Sequence, residues 1–293
     1  MNPGDSNGNS LDQEPVIDLL ARRFVFPDLG GQRVLIVGLG GGSDIISAYA
    51  LAQMLRRFSS SAPAETVYAN TKRHADKVLE LLAPQVYRVP ATVRKPVARE
   101  PAHGTTLIDQ AVDRGDRGCP WILRLAREEA GQRQLTTSLQ RLAEWDLVIA
   151  VDTGADSIVP TAESGAAGRD KTMLRILGDL GTPLLHAVVG PGCDGETSFA
   201  DLRDALGNLG RTGQWLGCFA LDAMLPAYRE FAPCLDPSRT PNILLAAFDN
   251  TLRPGPDGGL VVPRGMCPVI PRSWLTTAFV FRPDGGSLAK LSQ

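Results

Sequence analysis

Arg33-Val34-Leu35-Ile36-Val37-Gly38-Leu39-Gly40-Gly41-Gly42-Ser43-Asp44 is the stretch on which the fold turns. Its first half is a compact apolar run that stops at a glycine. That is the pattern of a strand buried on both faces of a sheet. The glycines that follow let the backbone adopt conformations closed to other residues. Beyond them the spacing changes. Ile45, Ile46, Tyr49, Leu51, Ala52 and Leu55 recur as on one side of a helix, which predicts a helix over 43–58. Strand, glycine turn and helix together form the opening unit of an α/β fold.

The same pattern returns twice. Asp146-Leu147-Val148-Ile149-Ala150-Val151-Asp152 is a second apolar run, followed by Thr153-Gly154-Ala155-Asp156-Ser157. A third run over 184–189 ends in Gly190-Pro191-Gly192-Cys193-Asp194-Gly195-Glu196-Thr197. Further strands are expected at 66–69, 85–93, 121–125 and 276–281. Helices are expected at 15–24, 74–82, 105–112, 135–145, 170–180, 198–206, 221–231 and 240–251. Strands alternating with helices predict an α/β fold, a mostly parallel sheet with helices on both faces. Residues 1–13 read as a disordered tail and 14–293 as a single α/β domain.

Composition narrows the function. The chain has 293 residues, 43% of them hydrophobic and 21% charged, which excludes a wholly disordered chain. A net charge of −2 offers no positive excess for nucleic acid or an anionic membrane, so neither is expected as a partner. No apolar run approaches the ~18 residues of a bilayer span. The polar start has no apolar core of a secretory signal. Five cysteines (Cys119, Cys193, Cys218, Cys234 and Cys267) stand far apart with no Cys-x-x-Cys pair. That argues against a disulfide framework or a zinc site and for a reducing, cytoplasmic compartment. The expected partner is a small-molecule substrate, and assembly into a homo-oligomer is left open.

The three glycine-and-acid turns carry the chemistry. In open α/β sheets ligands bind beyond the carboxyl ends of the strands, which is where all three turns fall. Gly38, Gly40, Gly41, Gly42, Ser43 and Asp44 form a candidate anion-binding loop, with helix-start N–H groups facing a phosphate or carboxylate. The plainer reading is a tight turn capped by Ser43 or Asp44. Asp152, Asp156 and Asp194 are candidate ligands for Mg2+, with Thr153, Gly154 and Gly192 beside the ligand. Glu196 is the first candidate for general base, with Asp156 and His103 behind it. It reads as sitting at the start of a helix, where like-charged neighbours and the helix dipole oppose each other. Glu163 and Asp170 fall within reach of the same crevice, although each taken alone reads as a solvated acid. His186 reads as a hydrogen-bonded core residue, Cys193 as a small buried filler, and Arg264 and Arg272 as surface arginines able to hold an anion.

A dinucleotide reading is weaker. Ser43 stands at the third glycine position of the fingerprint, and the second strand ends in Asn70-Thr71-Lys72-Arg73 rather than in an acid. Lys72 and Arg73 facing a 2′-phosphate keep NAD(P) as the lesser cofactor expectation, behind Mg2+.

The order of these motifs resembles the family known as domain of unknown function 1152, a group of uncharacterised Rossmann-like proteins. The residues that carry the resemblance are Leu35 to Gly38 with Gly40 to Asp44, then Asp146 to Asp156, then Glu163, Asp170 and Leu174, then Gly190, Gly192, Asp194, Gly195 and Glu196. It covers roughly 33–206, with a fainter echo over 240–281. The family tends to have Gly where Ala155 stands, a Trp-Glu-Arg-like element at 70–73 and a Ser-Pro-like pair at 168–169. The resemblance implies a Rossmann-like fold and a site at these turns. It implies no reaction. The expectation is therefore an enzyme, a hydrolase or group transferase acting on a nucleotide- or sugar-like metabolite. The alternatives are an NAD(P)-dependent oxidoreductase and a non-catalytic ligand-binding protein.

Overall fold

In a computed structural model, which describes residues 20, 22–40, 42–58, 65–73, 79–89, 120–159 and 166–283, the three apolar runs lie side by side at the centre of one sheet. They are β1 (Arg33–Gly38), β6 (Leu147–Thr153) and β7 (Leu184–Val189). Every residue of β6 and β7 is buried, as is all of β1 after Arg33. On the other side of β1 stand β2 (Glu65–Lys72) and β5 (Trp121–Arg124), and all five strands run parallel. Their order is β5-β2-β1-β6-β7. The chain leaves β1 toward one edge and later returns to β1's other side to build toward the opposite edge. The gap between β1 and β6 is therefore the switch point at which such sheets bind ligands.

Side chains alternate across the sheet and define two cores. Val34, Ile36, Leu147, Ile149 and Val151 face one core with Ile46 and Tyr49 of α1 (Asp44–Phe58). Leu202 of α4 (Phe199–Arg211), Phe231 of α5 (Leu225–Phe231) and Leu244 of α6 (Thr240–Phe248) close the same side. Leu35, Val37, Val148 and Ala150 face the other core, covered by Leu135 and Leu139 of α2 (Glu129–Leu142) and Met173, Ile176 and Leu177 of α3 (Ala166–Gly178). Each fully buried Leu or Ile contributes about 1.5–3 kcal/mol. Register is tightly specified, because a one-residue slip would exchange the two faces.

The edges differ from a purely parallel expectation. β3 (Glu80–Ala83) and β4 (Val86–Arg88) form a hairpin antiparallel to β5. At the far edge β11 (Thr277–Phe281) runs antiparallel to β7, and β8 (Trp215–Ala220) antiparallel to β11. The sheet thus has nine strands, mixed at its margins. The helix expected over 74–82 is overturned at its described end, where Glu80 to Leu82 are strand paired to β4. The helix expected over 15–24 is likewise overturned at Arg22 to Phe24, where Arg23 bridges Cys218 in extended form. In both places pairing to an available strand edge outweighs local helical spacing. The strand β8 and the short ribbon of β9 (Leu260–Val261) and β10 (Val269–Ile270) are additions to the sequence reading. The short helix α7 (Arg272–Leu275) precedes β11. The expectations for 1–13 and 105–112 lie outside the described residues. No described helix is long and apolar enough to cross a membrane.

Candidate functional site

Parallel neighbours carry their carboxyl ends to one edge. Hence the turns after β1, β6 and β7 meet, and the structure gathers Gly38, Gly40, Asp44, Asp152, Asp156, Asp194 and Glu196 into one cluster at the switch point. Gly41, His103 and Glu163 lie outside the described residues.

Asp44 opens α1 and folds back on the glycine turn. One carboxylate oxygen accepts the N–H of Gly40, and the other accepts the N–H of Thr153, at 3.2 Å, from the end of β6. A Cβ at Gly40 would overlap that carboxylate. Glycine here thus admits an anion that the chain itself supplies. Gly38 is equally constrained, since its Cβ would press on the backbone of Asp44 at 2.9 Å. Thr153 also reaches Ser47 on α1, hydroxyl to hydroxyl at 2.8 Å. The side of β6 facing α1 is thereby pinned to it.

Asp152, 1% exposed, is held from the next turn. Its Oδ2 accepts both the backbone N–H of Ser157, at 3.1 Å, and the Ser157 hydroxyl. The same hydroxyl lies 3.0 Å from Nε2 of His186 on β7. His186 is buried, which pushes its pKa down to about 4 and keeps the ring neutral at neutral pH. It is the hydrogen-bonded core residue expected from the sequence.

The turn after β6 is strained. Gly154 has φ +141° and Ala155 has φ +125°. A Cβ at Gly154 would overlap the carboxylate of Asp194, which sits directly on this turn. Asp194 in turn accepts the N–H of Glu196 at 3.1 Å. Glu196 is not in the first turn of α4. The N-cap is Ser198, whose hydroxyl accepts the N–H of Asp201. Cys193 is buried, and burial pushes its thiol pKa up, which makes it a filler and not a nucleophile.

Among the described residues, Asp44, Asp152 and Asp170 each offer a carboxylate oxygen within 4.8 Å of the others. The structure thus groups Asp152 with Asp44 and Asp170, whereas the sequence reading had set it with Asp156 and Asp194. Asp156 is half-buried on the rim, and Asp194 is engaged at Gly154. Asp170 also departs from the solvated reading, being 1% exposed. A signal for it was present. Asp170, Met173 and Leu177 fall at helical spacing, so an acid occupies the apolar stripe of α3. Its neighbour Arg169 places Nε 3.1 Å from Oδ1 of Asp170.

The electrostatics follow from burial and crowding. Burial is the largest cause raising the pKa of Asp44 to about 6 and of Asp194 to about 7, and Asp156 raises both further. Asp152 and Asp170 are pushed well up by burial and then by the charge of Asp156. Glu196 is raised by burial and Asp156, against the opposing pull of Arg264 and Arg169. Such an array can hold a hard divalent cation through oxygen ligands and keep an acid or base near neutral pH. Arg272 lies apart from it, donating to the carbonyl of Phe248 at 2.9 Å.

Residues 117–233 match the family described as protein of unknown function (DUF1152), which bears out over that segment the resemblance drawn from the sequence. The match takes in the turns after β6 and β7 and the start of α3, and begins beyond the glycine turn. No curated protein and no solved structure matches the chain.

Proposed function

We propose that this protein is an enzyme that binds a divalent cation, Mg2+ foremost, and hydrolyses or transfers a group on a small polar or phosphorylated metabolite. The observation that carries the reading is the mutual approach of the buried Asp44, Asp152 and Asp170 carboxylates at the switch point. Burying carboxylates together is costly unless protons or a cation offset their charge. Among the described residues one guanidinium, Arg169, bonds to one of the three, Asp170. The donors are all oxygen, the preference of Mg2+ and Ca2+.

A cation held there would polarise a substrate oxygen and lower the pKa of a water bound to it. The chain's own residues set the geometry. Ser157 fixes one oxygen of Asp152 and leaves Oδ1 without a bond to any described residue. Gly40 and Thr153 fix the orientation of Asp44. Glu196, beside this floor with its side chain 46% exposed, has the reach and the raised pKa to take a proton from water.

The test is calorimetric titration of the metal-stripped full chain with Mg2+ and Mn2+. Saturable binding is expected, weakened about 10-fold or more by Asp170→Asn, as is usual when a carboxylate of a metal site is lost. A wild-type chain that binds neither ion would overturn the cation reading.

One observation favours a second reading, an NAD(P)-dependent oxidoreductase: the parallel order β5-β2-β1-β6-β7 with a glycine turn at the switch point. Against it, the N–H of Gly40 already serves Asp44. Enhanced NADPH fluorescence on mixing would promote this reading.

A further inference from the structure

Asp44, Asp152 and Asp170 form a floor, and two arginines on different elements, Arg169 and Arg264, stand beside the acids. Arg264 lies in the turn between β9 and β10, and that turn is fastened to the turn after β7. Met266 N–H donates to the carbonyl of Gly195 at 2.9 Å. Gly195 at φ +69° and Gly265 at φ +57° approach so closely that a Cβ on either would overlap the other turn's backbone. The result is a fixed place for Arg264. Its Nη2 lies 3.8 Å from Oε1 of Glu196, and its Nη1 donates to the carbonyl of Ser238 at 3.4 Å. Its side chain keeps 31% of its surface open. Arg169, 22% open, stands at the floor against Asp170, and both guanidiniums act electrostatically on Glu196.

Six acids alone would repel an anionic substrate; Arg264 and Arg169 change that balance. We propose that the metabolite enters with a phosphoryl group, held between the cation on Asp44, Asp152 and Asp170 and the guanidinium of Arg264, with Arg169 supplying a second positive charge. This deepens the preceding section's reading and rests on it for the cation. A tetrahedral phosphoryl group presents oxygens in several directions at once. One serves a hard cation, which is commonly bound by one or two carboxylates together with substrate phosphate. The others suit the planar guanidinium fork. In the free protein Glu196 stands where Arg264 can reach it, and the incoming phosphoryl group takes over that guanidinium and leaves Glu196 facing the reacting centre.

The test is calorimetric titration of the full chain with inorganic phosphate, with and without Mg2+, and with Mg2+ alone. Wild type, Arg264→Ala and Arg264→Lys are compared, and thermal unfolding verifies that each is folded. Arg264→Ala is expected to bind phosphate about 10- to 100-fold more weakly, the size of a lost charge-assisted hydrogen bond. Its Mg2+ affinity should stay within about 2-fold of wild type, which is under ~0.5 kcal/mol. Arg264→Lys should restore part of the loss. Wild-type phosphate affinity in Arg264→Ala overturns the proposal, as does a wild type that binds no phosphate under either condition. If Mg2+ fails to bind while phosphate binding still depends on Arg264, the cation reading falls and the phosphoryl subsite stands.

Discussion

The carboxylate of Asp44 occupies the space that a side chain at Gly40 would fill, and accepts the Gly40 N–H. A glycine turn of the kind that cradles phosphate is thus already answered by an acid of the chain. Its second oxygen ties the turn to Thr153 across the switch point. The turn after β1 and the end of β6, on strands already paired in the sheet, are joined through one side chain.

Gly40→Ala is therefore expected to destabilise the protein by about 1–3 kcal/mol, through overlap with a carboxylate that is also a hydrogen-bond acceptor. In an Asp44→Ala background the same change should cost much less, because the overlapping group is gone. Denaturant unfolding of the four proteins measures the coupling. Equal costs in both backgrounds would show that Asp44 does not set the requirement for glycine.

Ala155 stands at φ +125°, in a region that favours glycine. Ala→Gly in an ordinary buried segment costs about 0.5–1 kcal/mol. At this position the relief of about 1–3 kcal/mol of backbone strain offsets that cost. Ala155→Gly is expected to hold or raise Tm in a thermal melt, and a clear fall would mean the turn is relaxed as it stands.

Stability of the metal-stripped protein should fall between about pH 4 and 7. Buried Asp44 and Asp194 hold protons up to about 6 and about 7, and Asp152 and Asp170 are raised well above the usual range. In the unfolded chain these acids ionise near about pH 3.9. The folded state then binds more protons than the unfolded one, so the stability present at low pH is lost as pH rises through the folded values. His186 works oppositely, since its pKa of about 4 adds stability as pH rises toward about 6.5, after which its contribution is constant. Above that point only the acids act. Millimolar Mg2+ should raise Tm more at pH 8 than at pH 6.5, because the cation competes with protons for the same oxygens. Melts with chelator from about pH 4 to 7, and with Mg2+ at about pH 6.5 and about pH 8, test this, and a chelated Tm that is flat from about pH 4 to 7 contradicts it.

Glu196→Gln should lower turnover about 100-fold or more with little change in substrate affinity, the size usual for a positioned base. The comparison is steady-state kinetics on a phosphate ester turned over by the wild type in the presence of Mg2+. Unchanged turnover would transfer the role to Asp156, the half-buried acid on the same rim.

Much of the framework was legible locally. Leu35 to Val37, Leu147 to Val151 and Leu184 to Val189 are contiguous apolar runs because parallel central strands are buried on both faces, and that demand is written residue by residue. Their glycine-and-acid endings marked the ligand-binding edge for the same reason. What escaped were the pairings between distant parts. Glu80 to Leu82 and Arg23 have no local pattern that names a partner, and each took the strand edge that the fold offered. Arg264 reaches Glu196 because Gly195 and Gly265 let two turns touch, a fact about two backbones 70 positions apart.

The apolar runs and the turns by themselves determined the α/β class and the edge of the sheet at which the acids gather. Which acids share a site was decided only by tertiary structure. Asp156 is next in sequence to the β6 turn yet sits on the rim, whereas Asp170 comes from α3 and completes the close trio. The physical reason is the rotation of α3 on the sheet. Burying Met173 and Leu177 against Val148 and Ala150 turns the stripe that also carries Asp170 inward, and a carboxylate on that stripe is delivered to the switch point.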